Sequence, residues 1–140
     1  MNIRIKNNCE NIDWCEVRNL LKSAGMSYFD PETHKASFLN SSSVVFLFDG
    51  DSLVGMGRAI SDKVRHGAIY DVAIDQNYQG KGLGKIVIET ILKSLPNCNF
   101  ILYASPGKEG FYEKLGFGKL KTGMGYFIDS DRMKSKGFIE

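Results

Sequence analysis

The alternation of apolar and polar residues divides the chain into short strands. Apolar residues alternate with basic ones at 3–6, and apolar runs follow at 44–48, 53–60, 68–74 and 100–104. The turn sequence Asp49-Gly50-Asp51 joins the second and third of these segments, which predicts an antiparallel hairpin. A final hairpin, expected to complete the sheet, is predicted at 118–128.

Apolar residues at helical spacing predict two main helices. Between Asp13 and Gly25 they form one stripe, and Asp13 with Glu16 three positions later resembles a capping box. A second stripe runs from the glycine-rich stretch at 79–84 to Pro96, which ends that helix. Residues 26–43 lack a clear period and predict a loop with a short or broken helix, and a further short helix is expected at 108–115.

The order of these elements predicts an α/β fold. Strands come first as hairpins and then alternate with helices, so we expect a mixed, mostly antiparallel sheet with helices on both faces. A chain of 140 residues, 43% of them hydrophobic, suits a single domain over residues 1–140 with one core.

Charge and hydropathy narrow the functional classes. Lys and Arg total 18 against 16 acidic residues, a net charge of +2 without a basic block, so no nucleic-acid partner is expected. No apolar stretch approaches the roughly 20 residues that a membrane span requires, so no membrane partner is expected either. The N-terminus lacks the apolar core of a signal peptide, and we predict a cytoplasmic protein.

The cysteines and histidines do not show metal-ligand spacing. Cys9, Cys15 and Cys98 suit neither a zinc site nor a disulfide framework, and His34 and His66 have no cysteine or carboxylate partner at the required spacing. We therefore predict no metal and interpret both histidines as surface or loop residues. Cys15 is expected to face the core.

The stretch 79–84 carries the clearest candidate chemistry. Gln79-Gly80-Lys81-Gly82-Leu83-Gly84 follows the predicted strand at 68–74 and enters the next helix directly. Glycines let the backbone approach a ligand closely, and the first turn of a helix presents unpaired N–H groups at the positive end of its dipole. This order of elements predicts an anion site that suits a pyrophosphate.

Three ligand classes use loops of this kind. A nucleoside-triphosphate loop needs Ser or Thr after a correctly spaced Gly-Lys pair, which this chain lacks. A dinucleotide loop needs Gly-x-Gly-x-x-Gly in an N-terminal strand–turn–helix unit, whereas the glycines here are spaced differently and lie mid-chain. The third pattern, Gln/Arg-x-x-Gly-x-Gly/Ala, is met at Gln79, Gly82 and Gly84.

That third pattern and its surroundings resemble the GNAT acyl-CoA N-acyltransferases. Downstream, Gly110-Phe111-Tyr112-Glu113-Lys114-Leu115-Gly116-Phe117 resembles the helix that the family places after its fifth strand, and 53–60 resembles its third strand. The resemblance covers most of residues 44–118. It implies a central sheet of about seven strands, splayed between the fourth and fifth, and acetyl-CoA as cosubstrate.

The resemblance also implies how the cosubstrate is held. Backbone N–H groups of the loop would bind the CoA pyrophosphate, with Lys81 or Lys85 as nearby cations, and Lys85 is equally well explained as a surface lysine. The pantetheine arm would pair with the fourth strand and leave an N–H near Val72 as oxyanion donor. The implied cofactor-binding residues are Val72, Ala73, Ile74, Gln79, Gly80, Lys81, Gly82, Leu83, Gly84 and Lys85.

Two side chains are candidates for proton transfer. By resemblance Tyr112 is the general acid that protonates the departing thiolate, although an aromatic residue at a helix end also has a packing role. Asp71 lies within an apolar run and is the best-placed carboxylate to accept the amine proton. A salt bridge from Asp71 to Arg58 is equally expected, and Tyr70 and His66 are the alternative bases.

The acceptor is expected to be a primary amine of a small molecule or a peptide. By resemblance Tyr28, Phe29, Asp30 and residues 124–126 would form its walls, with Tyr70 close by, and acidic residues on that side favour a cationic amine. The alternatives are a catalytically inactive CoA-binding or sensing module and a nucleotide-binding regulator. The sequence leaves open whether the protein is a monomer or a homodimer.

Overall fold

The computed structural model describes all 140 residues, which form two compact units, Met1–Leu102 and Tyr103–Glu140. The first unit contains the whole β-sheet and all of the fully buried hydrophobic side chains. Its elements are β1 Ile3–Lys6, α1 Trp14–Ser23, α2 Pro31–Leu39, β2 Ser43–Asp49, β3 Ser52–Ser61, β4 His66–Ile74, a 3₁₀ turn Gln76–Tyr78, α3 Leu83–Ser94 and β5 Asn99–Ile101.

The sheet is mixed and mostly antiparallel, as predicted, but it has five strands in the order β1-β2-β3-β4-β5. The expected count of about seven strands was wrong. Neighbouring strands are antiparallel except β4 and β5, which are parallel. That parallel pairing joins His66, Gly67 and Ala68 to β5, which then ends, so the rest of β4 has no strand partner on this side.

Helices cover both faces of the sheet, as the element order predicted. On one face, α1 and α2 pack against alternate residues of β2. This cluster consists of Val17, Leu20, Leu21, Phe38, Val44, Phe46, Phe48, Leu53, Met56 and Ala73. On the other face α3 approaches β3 so closely that a Cβ atom at Gly57 would lie 2.6 Å from Val87 Cγ1.

The start of α1 differs in two details from the sequence-based expectation. Asp13 caps the helix by accepting the Cys15 N–H at 2.9 Å, but Glu16 accepts the Leu53 N–H at 3.3 Å and does not complete a capping box. Cys15 is exposed and does not face the core. Two helical residues rotate the chain by about 200°, so Cys15 lies opposite the buried Val17.

Helix α2 occupies the region predicted as a loop with a short or broken helix. Asp30 accepts the Thr33 N–H at 2.9 Å and Pro31 takes the first helical position, a combination that favours helix initiation. His34 lies on the inner side of this helix and is only 4% exposed, so its interpretation as a surface or loop residue was wrong. His66, by contrast, is exposed.

Strand β4 contains a bulge at its centre. The register with β3 changes between the pairs Met56↔Ala73 and Arg58↔Tyr70, so β4 has one residue more than its partner here. Asp71 lies in this bulge with a φ of +57°, a left-handed conformation that aspartate tolerates better than most residues. The bulge turns the Asp71 side chain towards β3.

The second unit contains two short helices, α4 Glu109–Lys114 and α5 Ser130–Ser135. The first of these helices was predicted. The hairpin predicted at 118–128 was wrong, since this segment contains no strand. Gly118, Gly123 and Gly125 interrupt this segment, and glycine weakens a strand because it adds no side chain to pack. Its apolar residues Met124 and Tyr126 are almost fully exposed.

Aromatic contacts hold the ends of the second unit together. The Tyr103 ring lies with its centroid 5.6 Å from those of both Phe127 and Phe138. In the whole structure, no helix has the length and apolar character needed to cross a membrane.

Candidate active site

The entrance to α3 has the geometry of an anion site. Gly80 and Gly82 have φ angles of +76° and +81°, and Gly82 is the N-cap of the helix without any side chain bonded to the first-turn N–H groups. A Cβ atom at either glycine would meet nothing within 4 Å, and the first turn carries no acidic residue. The N–H groups are therefore accessible and lie at the positive end of the dipole, which fits a pyrophosphate.

Lys81 in the loop and Lys85 in the first turn of α3 have different surroundings. The Lys85 ammonium lies 3.7 Å from Glu89 one turn further along α3, and both side chains are well exposed. This is the contact expected of an ordinary helix-surface lysine. The Lys81 ammonium instead lies 5.7 Å from the centre of the Tyr78 ring, on the turn that leads into the loop.

Tyr78 fixes the start of the loop to the sheet. Its hydroxyl donates to Asp49 Oδ2 at 2.6 Å, and Asp49 ends β2. This hydrogen bond raises the pKa of the Tyr78 phenol and lowers the pKa of the Asp49 carboxyl. The Gln79 side-chain amide adds a contact of 3.3 Å to the Ile74 carbonyl. The loop is thus held at its first residue, Gln79, and at the residue before it, Tyr78.

By the resemblance described above, this loop would hold the CoA pyrophosphate, and loss of the Tyr78 hydroxyl is then expected to weaken that binding. We expect Tyr78→Phe to raise the Kd for CoA roughly three- to ten-fold, since one hydrogen bond that orders the loop is removed while the ring beside Lys81 stays. Isothermal titration calorimetry measures this change. Asp49→Asn keeps an acceptor oxygen and should have a smaller effect. An unchanged Kd in Tyr78→Phe would show that the loop does not depend on this contact.

Asp71 and Arg58 form the main ion pair of the site. Arg58 Nε donates to Asp71 Oδ2 at 2.7 Å, and the two side chains are 14% and 23% exposed. The guanidinium also lies 5.7 Å from the centre of the Phe38 ring and 5.3 Å from that of Tyr70. The salt bridge considered for Asp71 is therefore present, and it leaves Oδ1 without a hydrogen bond inside the protein.

The backbone of β4 beyond the bulge is the segment to which the pantetheine contacts were assigned. Val72 and Ile74 are half-buried and Ala73 is buried, with Ala73 in the core cluster. Their side chains are thus engaged in packing, whereas the main chain has no β5 partner at these positions. Only their backbone groups are available for hydrogen bonds to a ligand.

Tyr112 belongs to α4 in the second unit. The Phe117 N–H donates to the Tyr112 carbonyl at 3.1 Å and the Gly116 N–H to the Glu113 carbonyl at 3.1 Å, which is the expected Schellman helix end. The Tyr112 ring packs edge-on against Phe111 and Phe117. Burial raises the pKa of the Tyr112 phenol, so the hydroxyl keeps its proton at neutral pH.

The residues predicted to bind the acceptor differ in their exposure and in the contacts that they already make. The Tyr28 ring is contacted by the cations of Arg18 and Lys22, each at 5.6 Å, while Phe29 is 55% exposed. Asp30 is occupied in capping α2, and the Thr33 N–H that it accepts lowers the pKa of its carboxyl. The fourth, Tyr70, lies on β4 beside the bulge and faces Arg58.

Sequence reasoning missed His34, which lies near this group of residues. The Phe29 N–H donates to His34 Nε2 at 2.9 Å, and the two ring centroids are 6.0 Å apart. The signal that could have found it is the start of α2, because Asp30 followed by Pro31 predicts a helix and would have placed His34 within its first turns.

Comparisons with known proteins identify the family of the chain. Residues 7–117 match a family model described as "Acetyltransferase (GNAT) family". An "Uncharacterized N-acetyltransferase ycf52" of Pyropia yezoensis is 36% identical over 122 residues, which cover 82% of this chain and 70% of the relative. The "Histone acetyltransferase TAP1" of Glycine max is 43% identical over 68 residues, covering 46% of this chain and 29% of the relative.

A solved structure shows the same fold. It comes from methicillin-resistant Staphylococcus aureus and is described as "Protein of Unknown Function SA2161" and "Probable Acetyltransferase". It is 28% identical to this chain with a TM-score of 0.77, and the match covers 90% of this chain and 99% of the other.

Proposed function

The chain belongs to the GNAT acetyltransferase family, and from this premise we propose that it is an N-acetyltransferase that moves the acetyl group of acetyl-CoA to a primary amine. The observation that carries the proposal is the uncapped entrance to α3, where the left-handed Gly80 and Gly82 leave the first-turn N–H groups accessible to a diphosphate. The proposed binding residues for acetyl-CoA are those of the loop 79–85 and the backbone of 72–74.

The proposed reaction is a direct transfer within a complex of both substrates. The amine nitrogen forms a bond to the thioester carbonyl carbon, and the carbon–sulfur bond then breaks. A main-chain N–H near Val72 donates to the oxyanion that forms between these steps. The ammonium form of the amine first gives one proton to Asp71, directly or through water, and Asp71 later releases it to solvent. The departing thiolate takes a proton from Tyr112, and the second proton that the nitrogen loses after attack restores the Tyr112 phenol through solvent.

A cationic amine is the proposed acceptor class. Amines of this kind have a pKa of about 10.4 and need a carboxylate to accept a proton before they attack at neutral pH. Asp71 supplies a half-buried carboxylate with one oxygen not bonded by Arg58. The soybean relative is named a histone acetyltransferase, which favours a lysine side chain in a peptide as one acceptor. A polyamine and an arylalkylamine belong to the same chemical class.

The experiment that tests this function is an amine panel with acetyl-CoA. We would incubate the protein with spermidine, phenethylamine and a lysine-containing peptide and measure CoA release by chromatography. Chromatography is preferable to a thiol reagent because the chain has three free cysteines and Cys15 is exposed. Amine-dependent CoA release is the expected result. CoA binding without turnover of any amine would instead support an inactive CoA-binding module.

A glycine variant tests the loop separately from the chemistry. We expect Gly82→Ala to raise the Kd for CoA roughly five- to ten-fold, because a residue with a Cβ atom resists the φ of +81° that orients the first-turn N–H groups. Gly50→Ala is the matched control, since Gly50 has a φ of +60° and equally open surroundings in the β2–β3 turn. Equal Kd values for the two variants would argue against binding at the loop.

A further inference from the structure

His34 is a buried polar side chain that the proposed chemistry does not use. It lies on α2 with 4% of its surface exposed, and its Nε2 accepts the Phe29 N–H at 2.9 Å. The bond is partly shielded from water and joins the segment before α2 to a side chain within the helix. It fixes the main chain of residues 28–30, the segment proposed to form the acceptor wall.

The contact requires a neutral imidazole. Nε2 can accept a hydrogen bond only through its lone pair, so the ring proton must be on Nδ1. Burial lowers the pKa of His34, and among the facing charges Asp71 on β4 and Asp30 at the helix start raise the pKa while Arg58 on β3 lowers it. The acceptor is therefore present above the His34 pKa and is lost as the pH falls through it.

The same helix reaches the ion pair on the sheet. The Arg58 guanidinium lies 5.7 Å from the centre of the Phe38 ring, one turn along α2 from His34, and bonds Asp71 at the bulge. His34 thus bonds the main chain of Phe29 and lies close enough to Asp71, the carboxylate proposed to accept the amine proton, for that charge to raise its pKa. Displacement of residues 28–30 would change the amine site without touching the glycine loop.

From these contacts we propose that His34 is a positioning residue for the acceptor amine, which acts by holding the Phe29 main chain through Nε2. This inference rests on the proposed acetyltransferase function. It assigns no proton transfer to His34, because its lone pair is already occupied by a backbone N–H.

Two amide variants test the inference as a matched pair. The side-chain amide of Gln extends to the position of Nε2, whereas that of Asn is too short, so His34→Gln keeps an acceptor for Phe29 and His34→Asn does not. We expect His34→Asn to raise the KM for the best panel amine roughly ten-fold while the KM for acetyl-CoA stays unchanged. His34→Gln should remain within about two-fold of the wild type for both substrates.

Two further measurements are the pH dependence of the amine KM and the hydrogen-exchange rate of the Phe29 amide. A purely structural role of His34 would not change both of them. Because burial lowers the pKa of His34, the wild-type KM for the amine should rise, relative to that of His34→Gln, only at a pH below the ordinary histidine value of about 6.5. Hydrogen exchange followed by NMR should show a faster Phe29 amide in His34→Asn only. Exchange that is equal in both variants, or faster exchange with an unchanged amine KM, would overturn the positioning role.

The results expected if the proposed acetyltransferase function is wrong differ from those expected if only the role of His34 is wrong. If the wild type acetylates no amine of the panel, the acetyltransferase assignment and the acceptor role are both overturned, although the exchange difference at Phe29 would remain. If the wild type is active and only the His34 variants behave alike, the inference alone is overturned.

Discussion

Tyr112→Phe is expected to lower kcat about 100-fold while the Kd for CoA stays unchanged, because Tyr112 is the proposed general acid and such a group contributes at least this factor. Phenylalanine keeps the ring and hence its contacts with Phe111 and Phe117, whose centroids lie 4.9 and 5.7 Å away. The variant therefore removes the hydroxyl proton alone. Steady-state kinetics with the best panel amine and calorimetry with CoA measure the two quantities.

Tyr78→Phe is the comparison for the loss of a phenol. It removes a hydroxyl that bonds Asp49 beside the loop, so it should raise the Kd for CoA and leave kcat at saturating acetyl-CoA unchanged, the reverse of Tyr112→Phe. Burial raises the pKa of Tyr112 above the usual value of about 10, so wild-type kcat should not decline from loss of this proton below that pH. Full turnover in Tyr112→Phe would remove the residue from the mechanism.

Asp71→Asn is expected to lower kcat/KM about 100-fold at pH 7 and to lower the free energy of unfolding by about 1–3 kcal/mol. The first effect follows from loss of the carboxylate that is proposed to accept the amine proton. The second follows because Arg58, only 14% exposed, loses its charged partner. Asparagine tolerates the left-handed φ of +57° at this position, so the backbone should be preserved, which alanine would not ensure.

The pH dependence of that loss separates the two roles of Asp71. As the pH approaches the amine pKa of about 10.4, the amine loses its proton without help. The ratio of wild-type kcat/KM to that of Asp71→Asn should therefore become smaller. Arg58→Gln is the matched control because it breaks the same salt bridge and keeps the carboxylate, so its deficit should be small and independent of pH. A deficit in Asp71→Asn that is constant from pH 7 to pH 10 would assign Asp71 to structure alone.

The elements with strong hydrophobic periods were predicted nearly to the residue. Helix α1, strands β2 to β4 and helix α3 all lie where the pattern indicated, since each buries one face against a neighbouring layer. The glycine loop was predicted as well, because a left-handed position such as Gly82 depends mainly on the residue type.

Features that depend on contacts distant in sequence were not predicted. Whether His34 is buried is decided by the sheet beneath α2, and no local pattern records that contact. The bulge at Asp71 adds one residue to β4 without changing its apolar character, so the register shift has no sequence signature. Apolar and polar residues alternate in the segment 118–128 as they would in a strand. Its glycines weaken a strand, its apolar side chains are exposed, and its main chain pairs with no strand.

The early end of β5 has a consequence for the behaviour of the protein in a crowded cell. Beyond Ala68, β4 presents main-chain groups that no strand of the sheet pairs, and such edges recruit strands of other molecules into aggregates. The left-handed kink at Asp71 bends this edge and makes it a poorer template. A pantetheine arm lying along it would act as a protective cover, so the supply of acetyl-CoA would also govern resistance to aggregation.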